Sequence, residues 1–209
     1  MTSSPRMKFG AVLLAGGASR RFGADNKLLL EVEGVPLLRR GASVLLASGA
    51  VDVVVVTGFE HARYLEALRG LPVRFVQNAE WAAGIGGSVA TGIRAISPET
   101  DAAFIVPGDM PRLDPDLLSK LMARYLAEEE PRVVVPVTNG GAQRNPVLWP
   151  AAFFESLASC AGPRGAKEML PRLGASRVDV TVDDDRIFAD IDTAQDCELA
   201  DDSSKMKIS

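Results

Sequence analysis

The stretch FGAVLLAGGASRRFGADNK, residues 9–27, decides the fold of this chain. It begins with an apolar run, continues with adjacent glycines and paired arginines, and ends with a lysine. An apolar run that leads directly into glycines predicts a buried β-strand followed by a tight loop. Backbone N–H groups in such a loop can form an anion-binding concavity, and the cations add positive charge. We expect the loop to bind a polyphosphate, whereas a plain tight turn with solvated arginines is the structural alternative.

Apolar strand-like runs and helical patterns alternate after this stretch. Four further apolar runs predict buried strands: residues 51–58, 73–76, 102–109 and 132–137. Four helical patterns are interspersed with them: residues 36–49, 60–68, 86–96 and 114–130. The alternation predicts an α/β fold with a doubly wound, mostly parallel sheet. The segment NPVLWP, residues 145–150, predicts a small antiparallel excursion in the C-terminal third, and a short helical pattern follows near residues 165–173.

Length, charge and composition narrow the class of protein. The 209 residues predict a single domain, residues 1–209, with an ordered core over about residues 7–200. The formal net charge of −4 argues against nucleic acid or an anionic membrane as a partner. No run approaches the roughly 20 apolar residues of a membrane helix, and the short N-terminal apolar run does not predict a signal peptide. Two cysteines without metal-type spacing fit a cytoplasmic location.

The chain contains a single histidine, His61, and this limits the chemistry further. One histidine excludes a histidine-cluster metal site and disfavours a serine–histidine–acid triad. Because His61 lies in a polar helical pattern beside Glu60 and Arg63, we expect it to be a plain surface residue.

Unusual residues follow four of the predicted strands, at the edge where open α/β sheets bind ligands. These positions are Gly16 and Gly17, Thr57 and Gly58, Gly86 to Ser88, and Gly108 and Asp109. The first loop lacks both the G-x-G-x-x-G fingerprint of dinucleotide-binding folds and the Walker A pattern G-x-x-x-x-G-K-[ST]. A glycine loop followed by Arg20, Arg21 and Lys27 instead indicates another kind of nucleotide-binding loop. The glycines and serine that open the third helical pattern offer N–H donors and a hydroxyl, unless they are only a flexible helix entry.

Asp109 directly follows an apolar strand and precedes a Met-Pro step. A carboxylate there could hold a Mg²⁺ ion that bridges phosphate oxygens, since Mg²⁺ combines one or two carboxylates with phosphates and water. The alternative is an aspartate that caps the turn before Pro111. Asp190 and Asp192, in the segment ADIDT, are candidates to complete the metal site, although Asp192 could instead be a helix N-cap.

Over nearly the whole chain, these motifs resemble the nucleotidyltransferases that complete the molybdenum cofactor, the MobA-like NTP transferases. The opening loop is similar to the nucleotide-binding signature of that family. GDMPRL (residues 108–113) resembles its magnesium motif, and GIGGSVATGIRAI (residues 84–96) resembles its second nucleotide-contacting loop. The C-terminal segments at residues 144–170 and 190–196 resemble the cytidylyltransferase branch, whose members are MocA-like.

The resemblance implies a Rossmann-like nucleotidyltransferase fold, a Mg²⁺ cofactor, an NTP donor and the molybdopterin cofactor as a phosphorylated acceptor. It implies that the nucleotide is bound by Leu14, Ala15, Gly16, Gly17, Arg20, Arg21, Gly23, Lys27, Gly87 and Ser88. It assigns the catalytic roles to Arg20, Lys27 and Asp109, with Asp109 on the metal. Asn145 would lie near the acceptor.

The resemblance divides between two branches of the family. The segment LAGG, residues 14–17, resembles the guanylyltransferase signature, whereas the much longer C-terminal segments resemble the cytidylyl branch, so CTP is favoured over GTP. Asn145 stands where the cytidylyl branch has a histidine, which leaves open a related transferase that acts on a sugar phosphate or polyol phosphate. A molybdenum hydroxylase or its chaperone is the candidate protein partner. The non-enzymatic alternative is a nucleotide-binding accessory protein for such a hydroxylase, which the intact set of Arg20, Lys27 and Asp109 disfavours.

Overall fold

A seven-stranded β-sheet forms the centre of the computed structural model, which describes residues 7–17 and 26–188. The strands are β1 (Phe9–Ala15), β2 (Glu31–Val32), β3 (Val35–Pro36), β4 (Asp52–Thr57), β5 (Arg74–Gln77), β6 (Ala102–Pro107), β7 (Val133–Val137), β8 (Val147–Pro150) and β9 (Arg177–Thr181). The helices are α1 (Leu37–Ala47), α2 (His61–Ala67), α3 (Ile85–Ala95), α4 (Pro115–Leu126) and α5 (Phe154–Ala158). Short 3₁₀ turns include Lys27–Leu29, Trp81–Ala83, Gly165–Glu168 and Leu170–Arg172.

The strand order of the large sheet is β5-β4-β1-β6-β8-β7-β9, while β2 and β3 form a separate antiparallel pair. Strand β8 runs antiparallel to both neighbours, and every other adjacent pair in the large sheet is parallel. This confirms the α/β fold, the mostly parallel sheet and the antiparallel excursion. No helix in the described ranges is long and apolar enough to cross a membrane. The extent of the domain, residues 1–209, stays a prediction because both ends lie outside the described residues.

Strand β1 lies between β4 and β6 and is buried on both faces. Leu13 and Ala15 belong to the core that includes α1 and α4, whereas Val12 and Leu14 belong to the core on the α3 side. A strand that packs against helices on both sides has no solvent-facing positions, which is why its sequence shows no polar alternation.

Helix α4 begins where the sequence predicts and ends earlier. The Asp114 carboxylate accepts the backbone N–H of Asp116 at 2.6 Å and of Leu117 at 3.0 Å, which caps the helix. The helix ends at Leu126, although the predicted pattern continues through three glutamates at residues 128–130. Consecutive negative charges at a helix C-terminus oppose the helix dipole, so the early end has a physical cause.

Helix α5 and strand β9 have no counterpart among the predicted elements. Helix α5 has five residues, which is too short to show a helical period. Strand β9 is at the edge of the sheet, and only Val178 of its five residues is fully buried, so it lacks the apolar run that marks the inner strands.

Gly92 allows α3 to approach the sheet closely. A Cβ atom at this position would overlap Val12 Cγ1 of β1 and lie 2.8 Å from Val56 Cγ2 of β4. The absence of a side chain therefore sets the distance between α3 and the two central strands.

We expect Gly92→Ala to lower the free energy of unfolding by about 1–3 kcal/mol, because overpacking displaces the neighbouring side chains. Gly41→Ala is the matched control, since Gly41 is also a buried helical glycine but its Cβ would meet Leu13 Cδ1 at 3.8 Å, an ordinary contact. That control should raise the free energy of unfolding by about 0.5–1 kcal/mol through helix propensity and reduced chain entropy. Urea unfolding followed by circular dichroism measures both, and equal stability of the two variants would contradict the packing account.

Candidate functional site

The loops that follow β1, β4 and β6 meet at the carboxyl edge of the sheet. The backbone N–H of Gly108 donates to the carbonyl oxygen of Leu14 at 2.9 Å, which joins the loop after β6 to the end of β1. Gly58 lies against the loop after β1, because a Cβ built on it would be 2.6 Å from the Gly16 carbonyl oxygen. Three of the predicted loops are therefore in direct contact.

The start of α3 packs against the same glycine loop. Ser88 is buried, and its Oγ accepts a hydrogen bond from Asn78 Nδ2 at 3.1 Å. A Cβ on Gly16 would lie 2.8 Å from Ser88 Oγ, so only glycine fits at this position without a shift. Asn78 Oδ1 accepts the backbone N–H of Glu80 at 3.0 Å, which fixes the amide that holds Ser88. The structure thus brings together Leu14, Ala15, Gly16, Gly17, Gly87 and Ser88.

Lys27 and Asp109 form an ion pair across this edge of the sheet. Lys27 Nζ donates to Asp109 Oδ2, and the two side chains are 19 % and 24 % exposed. Lys27 opens the 3₁₀ turn that ends the glycine-loop region, while Asp109 follows β6 directly. The two residues that the sequence singles out for phosphate and metal binding are therefore in direct contact.

Asn26 holds the end of the glycine loop in place, a role that no motif in the sequence predicts. Its side chain is buried and donates from Nδ2 to Glu60 Oε2 at 2.6 Å and to Tyr64 Oη at 2.7 Å. Its Oδ1 accepts the backbone N–H of Leu28 at 3.0 Å, which caps the following turn. Asn26 thus joins the turn Lys27–Leu29 to the start of α2, which is distant in sequence, so no local sequence pattern predicts the contact.

The pKa values of the groups bonded to Asn26 are shifted by their surroundings. Burial raises the pKa of the Tyr64 hydroxyl, so Tyr64 is a neutral hydrogen-bonding group at physiological pH. Hydrogen bonds from Arg63 and then from Asn26 lower the pKa of Glu60, which keeps that carboxylate ionised. The network combines a neutral phenol with an anion, and the Asn26 amide donates to both.

A cavity of about 410 Å³ opens beside these loops. Its apolar walls include Val89, Ile105, Val147, Trp149 and Leu170. Its polar lining residues are Asp109, Asn145, Arg164 and Lys167. An apolar chamber with a few polar and charged groups suits a flat organic ring that carries an anionic substituent. Asp109 and the predicted acceptor residue Asn145 line the same cavity.

Several predicted residues lie outside the described part of the chain. They are Arg20, Arg21 and Gly23 of the glycine loop, and Asp190 and Asp192 of the C-terminal segment.

The expectation that His61 is a plain surface residue was wrong in part, because the residue is half-buried and its Nδ1 lies 2.7 Å from Oγ1 of the buried Thr57. This contact, between residues one helical turn apart at the end of β4, holds the start of α2 against the sheet.

The donor set for a metal among the described residues is a single carboxylate at the cavity. Within those ranges no group of three or more histidine, cysteine, aspartate or glutamate side chains could hold a metal ion. Asp109 alone fits Mg²⁺ in the presence of a nucleotide, because that ion accepts one carboxylate when phosphate oxygens and water supply the remaining ligands. A closed structural metal site does not fit these residues.

Comparison with known proteins identifies a family over most of the chain. Residues 11–178 match the family model described as MobA-like NTP transferase domain. A relative from Natronomonas pharaonis, named probable molybdenum cofactor guanylyltransferase, is 32% identical over 197 residues, which cover 90% of this chain and 95% of the relative. Nicotine blue oxidoreductase of Paenarthrobacter nicotinovorans is 28% identical over 196 residues, which cover 88% of this chain and 92% of that enzyme.

Further relatives are also named molybdenum cofactor guanylyltransferase, including one from Cupriavidus metallidurans. Among solved structures, a nucleotidyl transferase from Methanothermobacter thermautotroptrophicus matches with a TM-score of 0.78 over 96% of this chain and 99% of that chain. At 23% sequence identity this match establishes the shared fold.

We expect Asn26→Ala to lower the free energy of unfolding by about 1–3 kcal/mol, because the buried Tyr64 hydroxyl loses its partner. In a Tyr64→Phe background the same change should cost at least about 0.5 kcal/mol less, since no hydroxyl is then left unpaired. A double-mutant cycle from chemical unfolding measures this coupling. Strictly additive effects would show that the bond between Asn26 and Tyr64 contributes nothing to stability.

Proposed function

Because this chain belongs to the MobA-like NTP transferase family, we propose that it transfers GMP from GTP to the phosphate of the molybdenum cofactor and releases pyrophosphate. Two relatives that span 90% of this chain are named guanylyltransferases, and the LAGG start of the glycine loop agrees with them. The CTP preference expected from the C-terminal motifs finds no support in these relatives, so GTP replaces CTP as the proposed donor.

The observation that carries the proposal is the position of Asp109. This carboxylate lines the cavity and is bonded to Lys27 at the end of the glycine loop. It therefore stands between the loop proposed for the nucleotide and the chamber proposed for the acceptor. A transfer enzyme needs a group at this junction, because the reacting phosphates must meet there.

The chemistry needs positioning and positive charge more than a base. An oxygen of the acceptor phosphate attacks the α-phosphorus of GTP and forms a new P–O bond. The bond from that phosphorus to the α,β-bridging oxygen breaks, and pyrophosphate leaves with the electron pair. The attacking phosphate is already an anion, so no strong general base is required. His61, which is bonded to Thr57, is accordingly not needed as one.

The chain's own groups supply the binding and the charge. Gly16 and Gly17 let the phosphates approach the backbone, and Lys27 turns from Asp109 to the phosphate oxygens when the nucleotide enters. Asp109 is the residue that would hold Mg²⁺, which when bound supplies positive charge to the phosphate oxygens. Asn145, which lines the same cavity, is proposed to orient the acceptor.

The remaining predicted residues belong to this proposal through the family signature alone. Arg20 or Arg21 would neutralise the pyrophosphate side, with Gly23 completing the loop. Either Asp190 or Asp192 would add a second carboxylate to the metal.

The donor is tested by measuring pyrophosphate release from purified protein with Mg²⁺ and molybdenum-loaded molybdopterin, offering GTP and CTP separately. We expect release with GTP to exceed release with CTP by at least about tenfold, as for a base pocket that satisfies the polar edge of one base only. Faster release with CTP would overturn the guanylyl assignment. Release only with a sugar phosphate or polyol phosphate would show that the acceptor is not the molybdenum cofactor. Nucleotide binding without pyrophosphate release would favour an accessory protein.

Asp109→Ala should lower turnover by about 100-fold or more, because a group that stabilises charge in the transition state is lost. Its free energy of unfolding should change by no more than about 1 kcal/mol, since a partly exposed ion pair adds little stability. Asp116→Ala is the control, as Asp116 is an exposed carboxylate in the first turn of α4. Steady-state kinetics and urea unfolding measure both properties, and near-normal turnover of folded Asp109→Ala would refute the role of this carboxylate.

A further inference from the structure

We propose that Arg164 and Lys167 form the binding site for the acceptor's phosphate group. The proposal rests on the function proposed above, which requires that an anionic acceptor reaches a nucleotide held at the glycine loop. Both side chains line the cavity that also contains Asp109.

The side chains of Arg164 and Lys167 have no hydrogen-bond or ion-pair partner among the described residues. Most arginines and lysines of the described chain bond to carboxylates or backbone carbonyls, as Arg74 does with Asp52 and Arg39 with Ala67. Across residues 7–17 and 26–188, the cationic side chains without a hydrogen bond or ion pair are Lys120, Arg164, Lys167 and Arg172. Three of these four lie on one short segment, and two of the three line the cavity.

The composition of the cavity wall favours the same assignment. Val89, Ile105, Val147 and Trp149 give a surface on which a flat ring can lie, but they offer no counter-charge for a phosphate. Asp109 is paired with Lys27, and the two opposite charges of this ion pair add no net positive charge for the acceptor's phosphate. Arg164 and Lys167 are the cations of this wall, and a guanidinium beside an ammonium suits the oxygens of a phosphate monoester.

Close contacts between glycines fix the segment at residues 162–165 to the start of α3. Gly86 donates its backbone N–H to the carbonyl oxygen of Gly162 at 3.0 Å. A Cβ on Gly84 would lie 2.5 Å from that same oxygen, and a Cβ on Gly165 would lie 3.3 Å from Gly86 Cα. Since the start of α3 also carries the proposed nucleotide contacts, the backbone at Arg164 has a defined position relative to the nucleotide.

The test is a binding measurement that does not depend on turnover. The probes are 6-hydroxymethylpterin and its phosphate monoester, whose own fluorescence polarisation reports binding to the protein. We expect the wild-type protein to bind the phosphate monoester at least about tenfold more tightly than the alcohol, which corresponds to one charge-assisted contact. In R164A/K167A this ratio should fall below about threefold, whereas K120A, which removes the unpaired lysine on α4, should retain it.

Either of two results would overturn the proposal: a wild-type protein that does not distinguish the two probes, or an R164A/K167A variant that distinguishes them as well as wild type does. A transfer assay with the molybdenum cofactor adds an independent check. The double variant should raise KM for the cofactor by about tenfold and leave KM for GTP unchanged. If the wild-type protein transfers no nucleotide but the probe ratios behave as expected, the proposed function fails while the phosphate site stands.

Discussion

The burial of β1 on both faces is the constraint on which the rest of the structure depends. With β4 on one side and β6 on the other, this strand cannot turn aside before its last residue, so its carboxyl end opens into the loop at Gly16. The neighbouring strands end at the same height, and the contact of Gly108 with Leu14 and of Gly58 with Gly16 holds their loops together. The site forms where three strand ends meet, because the glycines there permit close contacts that a Cβ atom would prevent.

The ion pair between Lys27 and Asp109 is suited to exchange of partners. Both side chains are partly exposed, and such pairs contribute about 0–1 kcal/mol to stability. A polyphosphate with its counter-ion offers each group a stronger partner than the other, so a bound nucleotide can separate them at low cost. Asn26 is not suited to such an exchange, because its buried bonds to Glu60 and Tyr64 hold the chain immediately before Lys27 in place.

The sequence predicts the elements whose signals are local. The inner strands are apolar runs in the sequence because both of their faces are buried. Asp114 predicts the start of α4 because a capping side chain bonds to backbone N–H groups only two or three residues further on. The glycine loops could be found for the same reason. The bonds of Asn26 to Glu60 and Tyr64 and the cavity wall could not be predicted, since they join residues that are distant in the chain and are brought together by the order of the strands.

The antiparallel direction of β8 explains why the side proposed for the acceptor lies next to the side proposed for the nucleotide. Ile105 of β6 pairs with Val147 of β8, so the amino end of β8 lies beside the carboxyl end of β6. Asn145, which precedes β8, is thereby placed in the same cavity as Asp109, which follows β6. A parallel β8 would put Asn145 at the opposite edge of the sheet, far from the glycine loop. One reversed strand in an otherwise parallel sheet thus brings the C-terminal third of the chain to the edge where the N-terminal loops meet.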